Sequence, residues 1–337
     1  MKIDFVHTQS AHCECGVTAN LINHEFKNTG QTISEAMTFG LGQGIFFGYL
    51  PFIKVNKLPL TTFRCPVGNI FKGVTKSLGV SVKWQKFSNA AKAMAALDRE
   101  LEKGNPVGCR TGGYWLPYFP PSLRFHFNMH NIVVIGKQGN NYLISDPVFP
   151  DMVECPAKDL AIARFAKGAL APKGSMYQIT KVPDHLQLEP AVINSIKGAA
   201  KAMVKTPIPF LGVRGIHFLA NRLENWPKKF DQTTTILLLG QLIRMQEEIG
   251  TGGGGFRFMY SAFLQEAAPI LGDDRLLGVS EQLTASGDTW RRFAVKAAKN
   301  CKGRANAEDS FQAMKETLNT CADIETQAFK ELIDIVR

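Results

Sequence analysis

Long apolar runs are missing from this sequence. The longest, TILLLG at 235–240, falls far short of the roughly 20 residues that a bilayer crossing needs. The opening MKIDFVHTQSAHC holds no apolar stretch of signal-peptide length, so a cytoplasmic protein with reduced thiols is expected. Paired metal motifs are missing too. Cys13 and Cys15 flank a single residue, too tight for a zinc knuckle, and no second Cys or His pair matches them. The other cysteines, Cys65, Cys109, Cys155, Cys301 and Cys321, stand singly and make an odd total of seven. Neither a metal site nor a disulfide framework is expected. There is no GxxxxGK[ST] loop, no internal repeat, and no zinc-finger, RNP-type or helix-turn-helix pattern, which leaves nucleic-acid binding without support. Acidic residues are in deficit, 29 against 39 basic, for a formal charge of +10. The surplus lies in scattered patches such as KGAAKAMVK and WRRFAVKAAKNCKGR, a distribution that suits an acidic protein partner or a merely solvated surface.

What is present divides in two. At 337 residues the chain exceeds the usual single-core limit, so two domains are expected. Residues 1 to about 60 read as helix and loop. Ser34 is placed to cap a short helix, and the glycines at 40, 42, 44 and 48, set among Phe39, Leu41, Ile45 and Phe46, read as a loop that approaches something closely. Helices are predicted over GNIFKGVTKSLGV and AAKAMAALDRELEKG, with a strand in SVKWQKF between them. Another strand follows at PVGCR. The β-branched runs HNIVVIG and NYLIS flank a Gly-Asn-Asn turn and predict an antiparallel hairpin. Pro172, Pro183 and Pro190 mark a linker, beyond which amphipathic helices dominate. The expected class is α+β, with a catalytic domain over 1–180 and a helical domain over 181–337.

The chemistry gathers at SAHCECGVTANLINHEF, Ser10 to Phe26. Val17, Leu21, Ile22 and Phe26 fall at helical spacing, which puts the cysteines at a helix N-terminus. Free amides and the positive end of the macrodipole there favour a thiolate. A thiolate nucleophile needs a base, and the base an orienting group. His130 opens the first hairpin strand and Asp146 follows the second. An antiparallel pair brings these two ends together. The order Cys, His, Asp in these contexts is that of papain-like cysteine hydrolases and acyltransferases. The bland alternative is a buried structural cysteine, an edge histidine and a plain Asp-Pro turn.

HCECGVTANLI, SEAMTFGLGQGI, YWLPY, HNIVVIGKQGNNYLISDP and DLAIAR together resemble the N-terminal domain of the butirosin-biosynthesis H protein family. The later IGTGGGGFRFMYSAFLQEA and GDTWRRFA resemble the helical domain that commonly follows it. The matches run from His12 to Ala294. The resemblance implies a papain-like domain related to bacteriocin-processing cysteine peptidases. It implies an acyltransferase that takes an acyl group from an acyl carrier protein thioester to an amine or hydroxyl of a small-molecule acceptor. No resident cofactor is implied, because the phosphopantetheine arm arrives with a carrier protein or CoA as substrate. Residue by residue, the resemblance assigns the nucleophile to Cys13, the base to His130 and the orienting acid to Asp146. Relatives carry small polar residues after the cysteine where this chain has Cys15. Peptidase relatives place an oxyanion glutamine upstream, and Gln9 lies near, though not at, that spacing.

Three further residues are substrate-lining candidates. Tyr114 and Tyr118 sit in GYWLPYFPP, which with FGLGQGIFFGYLPF could shield an acyl-enzyme from water. Arg257 follows the glycine run GTGGGGFR, where a helix N-terminus could receive an anion. A glycine linker with Arg257 in a structural salt bridge is the alternative. The competing functional readings are a peptidase, amidase or thioesterase with the same triad, and a non-catalytic binding protein. Acyl group, acceptor and oligomeric state stay open.

Overall fold

The computed structural model describes residues 2–55 and 57–337. In chain order the elements are α1 (Cys13–Glu25), α2 (Glu35–Leu41), β1 (Ile45–Val55), β2 (Leu58–Arg64), α3 (Asn69–Ser77), β3 (Ser81–Gln85), α4 (Ala90–Glu102), β4 (Val107–Thr111), β5 (His130–Gln138), β6 (Asn141–Ser145), β7 (Val153–Pro156), α5 (Ala157–Arg164) and β8 (Met176–Lys181). Seven α-helices follow: α6 (Leu188–Val204), α7 (Gly212–Leu223), α8 (Trp226–Lys229), α9 (Gln232–Ile243), α10 (Arg257–Leu271), α11 (Arg275–Cys301) and α12 (Phe311–Ile335). The class is mixed α and β with a helical C-terminal region. No helix among the described residues is long and apolar enough to cross a membrane.

Two compact units are present, and they are not separated by one cut near residue 180. The first comprises Met1–Thr38 and Ile70–Leu186, the second Phe39–Asn69 and Gln187–Arg337. In the first, a six-stranded antiparallel sheet runs β3-β8-β4-β5-β6-β7. Ile132, Val133, Val134 and Ile135 of β5 are all fully buried. Because neighbouring residues of a strand face opposite sides, both faces of β5 are covered. The expected β5–β6 hairpin forms around Gly139 at φ 57°, in register from Gln138↔Asn141 to Val133↔Ser145. The predicted linker proves to contain β8, which pairs with both β3 and β4. Its flanking prolines bracket a strand rather than marking a disordered run, and Met176 and Tyr177 are buried in the core.

In the second unit, residues 45–55 and 58–64 correct the helix-and-loop expectation, which ran to about residue 60. They form a long β1–β2 hairpin with register shifts between Ile45 and Gly48 and between Leu50 and Lys54. Those irregularities, with Pro51 and the glycines, hide the period-2 pattern. Inside this unit Phe47 and Phe63 meet Trp290 of α11 at ring distances of 5.6 and 5.1 Å. Gly40 lies where a Cβ would come within 2.1 Å of the Phe263 ring, and Gly44 within 2.3 Å of Phe39. Gly40 and Gly44 of FGLGQGIFFGYLPF therefore admit aromatic faces into the core of the second unit. These two are packing glycines.

Candidate active site

The N-terminus of α1 is held from several sides. His12 is the N-cap, its Nδ1 accepting from the Cys15 amide at 3.3 Å. The Glu35 carboxylate at the start of α2 accepts from the amides of Ala11 at 3.1 Å and His12 at 2.6 Å. Burial raises the Glu35 pKa, and those two amides pull it down. Ser34 caps the same short helix by accepting from the Met37 amide at 2.9 Å. Glu14 accepts from the amides of Ile70 and Phe71 at 3.1 and 3.3 Å, placing a carboxylate at the positive end of α3. Gly16 explains the G of HCECG. A Cβ there would stand 2.5 Å from Pro147 and 2.7 Å from Ser10, so only glycine lets this helix end approach the Asp146-Pro147 corner.

The two cysteines separate cleanly. Cys15 is 0% exposed and its Sγ lies 3.0 Å from His12 Nδ1. Cys13 is 9% exposed and stands close enough to His130 to help raise the pKa of that imidazole. The Cys13 amide, first of the helix, has no acceptor among the described residues, as expected for that position.

His130 and Asp146 meet across the hairpin, with Nε2 2.7 Å from Oδ2. That contact leaves Nδ1 for the sulfur. Asp146 is fully buried, and its Oδ1 accepts from the Val148 amide at 3.2 Å. Burial by itself lowers the His130 pKa. The charge and hydrogen bond of Asp146, aided by Cys13, outweigh that cost and push it up to about 10. Phe119 meets His130 edge to face at 5.2 Å, fixing the ring plane. Among the described residues no group of three His, Cys, Asp or Glu could hold a metal ion.

Other expected site residues go elsewhere. Tyr118 does not line a pocket by its hydroxyl; it donates to Asp146 Oδ2 at 2.9 Å, the same oxygen that His130 uses. Its pKa rises well above the usual range through burial and the Asp146 charge. Tyr114 is exposed, stacked on His126 at 4.1 Å and edge-on to Trp115 at 5.2 Å. Gln9 is exposed and makes no side-chain hydrogen bond among the described residues, so nothing holds it beside Cys13.

Arg257 corrects the anion-clamp expectation outright. It is 0% exposed, with Nε and Nη2 on Glu325 at 2.9 and 2.8 Å and Nη1 on the Gly255 carbonyl at 2.7 Å. The adjacent glycine run also has its own anion, since the Gly254 amide donates to Glu247 at 3.2 Å. Gly252 to Gly255 all have positive φ, and a Cβ at Gly255 would lie 2.4 Å from Phe63. The run is a tight packed turn within the second unit.

Sequence reasoning missed Asn131, whose Nδ2 lies 3.9 Å from Cys13 Sγ. Its position directly after His130 was the available signal. It also passed over Glu35, 22 residues beyond the cysteine, for which no local pattern exists.

Known families match along most of the chain. Residues 12–147 match the family described as butirosin biosynthesis protein H, N-terminal, and residues 158–332 match a domain of unknown function, DUF4872. A solved structure from Bacillus anthracis, described as a C39-like peptidase, aligns with 54% of this chain and 98% of its own at 15% identity and a TM-score of 0.37. No curated protein matches the chain.

Proposed function

This chain belongs to the DUF4872 family and carries a butirosin biosynthesis protein H-like N-terminal domain, and on that premise we propose that it is a papain-like, cysteine-dependent acyltransferase. The single observation that carries the reading is a Cys13 at the start of α1 close enough to raise the pKa of a His130 that Asp146 holds at 2.7 Å. The donor is a thioester on the phosphopantetheine arm of an acyl carrier protein or of CoA, and the acceptor is a small-molecule amine or hydroxyl. No resident cofactor takes part.

In the first half-reaction the sulfur of Cys13 attacks the thioester carbonyl with the proton of the pair already on His130, whose pKa of about 10 keeps it there at neutral pH. The oxyanion forms at the start of α1, where the Cys13 amide has no acceptor among the described residues and can donate. Collapse breaks the donor's C–S bond, and the departing thiolate takes the proton from His130. Acylation neutralises the sulfur. With it goes the Cys13 contribution that helps hold the His130 pKa at about 10, so the imidazole is more readily left neutral and able to take the acceptor's proton. The acceptor then attacks, His130 removes its proton, and collapse of the second tetrahedral intermediate restores Cys13. An acidic carrier suits a chain of net charge +10.

Intact-mass spectrometry after brief exposure to a panel of acyl-carrier-protein and CoA thioesters tests this reading, with Cys13→Ala and Cys15→Ala as controls. An acyl adduct that is lost only in Cys13→Ala, and discharged by an amine or hydroxyl acceptor, is expected. Adducts discharged by water alone, or cleavage of peptides and amides without any thioester adduct, would replace transfer with hydrolysis. Silence in every assay would leave a binding protein.

A further inference from the structure

The start of β5 offers two side chains to the sulfur, and the reading above uses only His130. Successive strand residues face opposite sides, yet at this strand end His130 and Asn131 both reach Cys13. Asn131 is buried, and its Nδ2 donates to the Met129 carbonyl at 3.0 Å and toward Cys13 Sγ at 3.9 Å. We infer that Asn131 is a catalytic hydrogen-bond donor that stabilises Cys13 as a thiolate, with Tyr177 as the positioning residue that sets its amide. The inference rests on Cys13 being the nucleophile but not on the identity of any substrate.

The orientation argument comes from Tyr177. Its hydroxyl donates to Asn131 Oδ1 at 3.0 Å, so the carbonyl end of the amide is committed to Tyr177 and the NH2 end must face Met129 and the sulfur. A flipped amide would set its carbonyl against the Met129 carbonyl, which now accepts from Nδ2 at 3.0 Å, and against the thiolate. Burial raises the Tyr177 pKa well above its usual value, which keeps the phenol proton in place for that bond. The ring itself is clamped. It stacks on Trp84 at 4.6 Å and 17°, lies 4.4 Å from Phe71, and occupies space where a Cβ on Gly108 would come within 2.2 Å. Trp84 in turn sits beneath the Arg110 guanidinium at 5.0 Å. A packed aromatic stack therefore fixes one amide, and that amide offers a proton to the reacting sulfur. The interaction strengthens once the sulfur is charged, because hydrogen bonds to ionised acceptors are the strong ones.

Thiolate formation can be read without any substrate, by the 240 nm absorbance lost on alkylation and by the iodoacetamide rate of the Cys13 peptide at neutral pH. Cys13→Ser supplies the baseline for the other six cysteines. Asn131→Ala should cut the Cys13 alkylation rate about tenfold, the scale of one hydrogen bond to a charged group, and reduce the 240 nm signal in step. Asn131→Asp should cut it further by setting a carboxylate toward the sulfur. Tyr177→Phe keeps the stack and should show a smaller loss of the same signal. If Asn131→Ala fails to fold, Asn131→Ser and Tyr177→Phe carry the test. A folded Asn131→Ala or Asn131→Ser protein with wild-type absorbance and rate would overturn the inference, and a wild-type Tyr177→Phe would overturn the positioning role. A normal thiolate signal in a protein that accepts no thioester would refute the acyltransferase reading while leaving this one intact.

Discussion

Two buried ionic clusters in this molecule use similar parts for opposite ends. In the second unit Arg257 and Glu325 are saturated: Glu325 Oε1 accepts from Arg257, Ser286 and Trp290 at 2.9, 2.7 and 2.8 Å, and Oε2 takes the second arm of the guanidinium. In the first unit Asp146 is equally well satisfied, by His130, Tyr118 and Val148. The chain of bonds, however, ends at a sulfur whose contacts to Met129 and Asn131 are both 3.9 Å and beside an amide with no acceptor among the described residues. Saturation stabilises; an unfinished end leaves room for a reacting group. The difference between the clusters is thus one of remaining valence, and it can be broken from either side.

The largest effect is expected from Asp146→Asn. An amide in place of the carboxylate keeps the shape but removes the charge that raises the His130 pKa. Acylation of Cys13 should fall on the order of 10^3–10^4-fold, as for the orienting acid of related triads, while circular dichroism stays native. Arg257→Ala should do the reverse. It leaves Glu325 charged and buried without its partner, a loss of about 3–5 kcal/mol of stability by chemical denaturation. In any protein that stays folded, the reactivity of Cys13 toward iodoacetamide should be unchanged.

These two variants also mark what the sequence could reveal. Cys13, His130 and Asp146 were legible because each sits on a strong local signal: a helix start, a strand start and the end of the next strand in one hairpin. The hairpin register then does the long-range work. Arg257 was misleading because the residue that neutralises it lies 68 positions away, and no local pattern announces Glu325. Tyr118 was read as lining a pocket because an aromatic loop displays its rings and conceals its hydroxyl bonds. The β1–β2 hairpin was lost to glycines whose purpose, room for Phe39 and Phe263, exists only after folding.

Alkaline pH should weaken the first cluster specifically. His130 has a folded pKa of about 10 against an ordinary 6.5. Its contribution to stability is therefore fully present below about 6.5 and is lost as pH rises through about 10. Urea midpoints for the wild type should fall between pH 7 and 10, and the fall should be shallower in Asp146→Asn. Equal slopes in both proteins would mean that Asp146 does not set the His130 proton affinity. Tyr118→Phe should have a milder effect. It removes one of the two donors on Asp146 Oδ2, and a single hydrogen bond of about 1 kcal/mol corresponds to a roughly fivefold change in acylation rate.

The smallest effect is expected at Cys15, and it sharpens the contrast between two thiols one residue apart from a shared glutamate. Cys15 is closed off: its side chain is fully buried beside His12 Nδ1. Replacing it with alanine removes the sulfur but not the backbone amide, which still donates to the same His12 nitrogen at the helix cap. The cap therefore survives, the start of α1 keeps its place, and Cys13 stays beside His130. Cys15→Ala should lower stability by about 1 kcal/mol, the scale of a small buried truncation, and leave the acyl adduct on Cys13 forming at the wild-type rate. Loss of the adduct in Cys15→Ala with native circular dichroism would mean that the sulfur of Cys15 is part of the reacting centre, and that burial at this helix end does not separate structural from reactive cysteines.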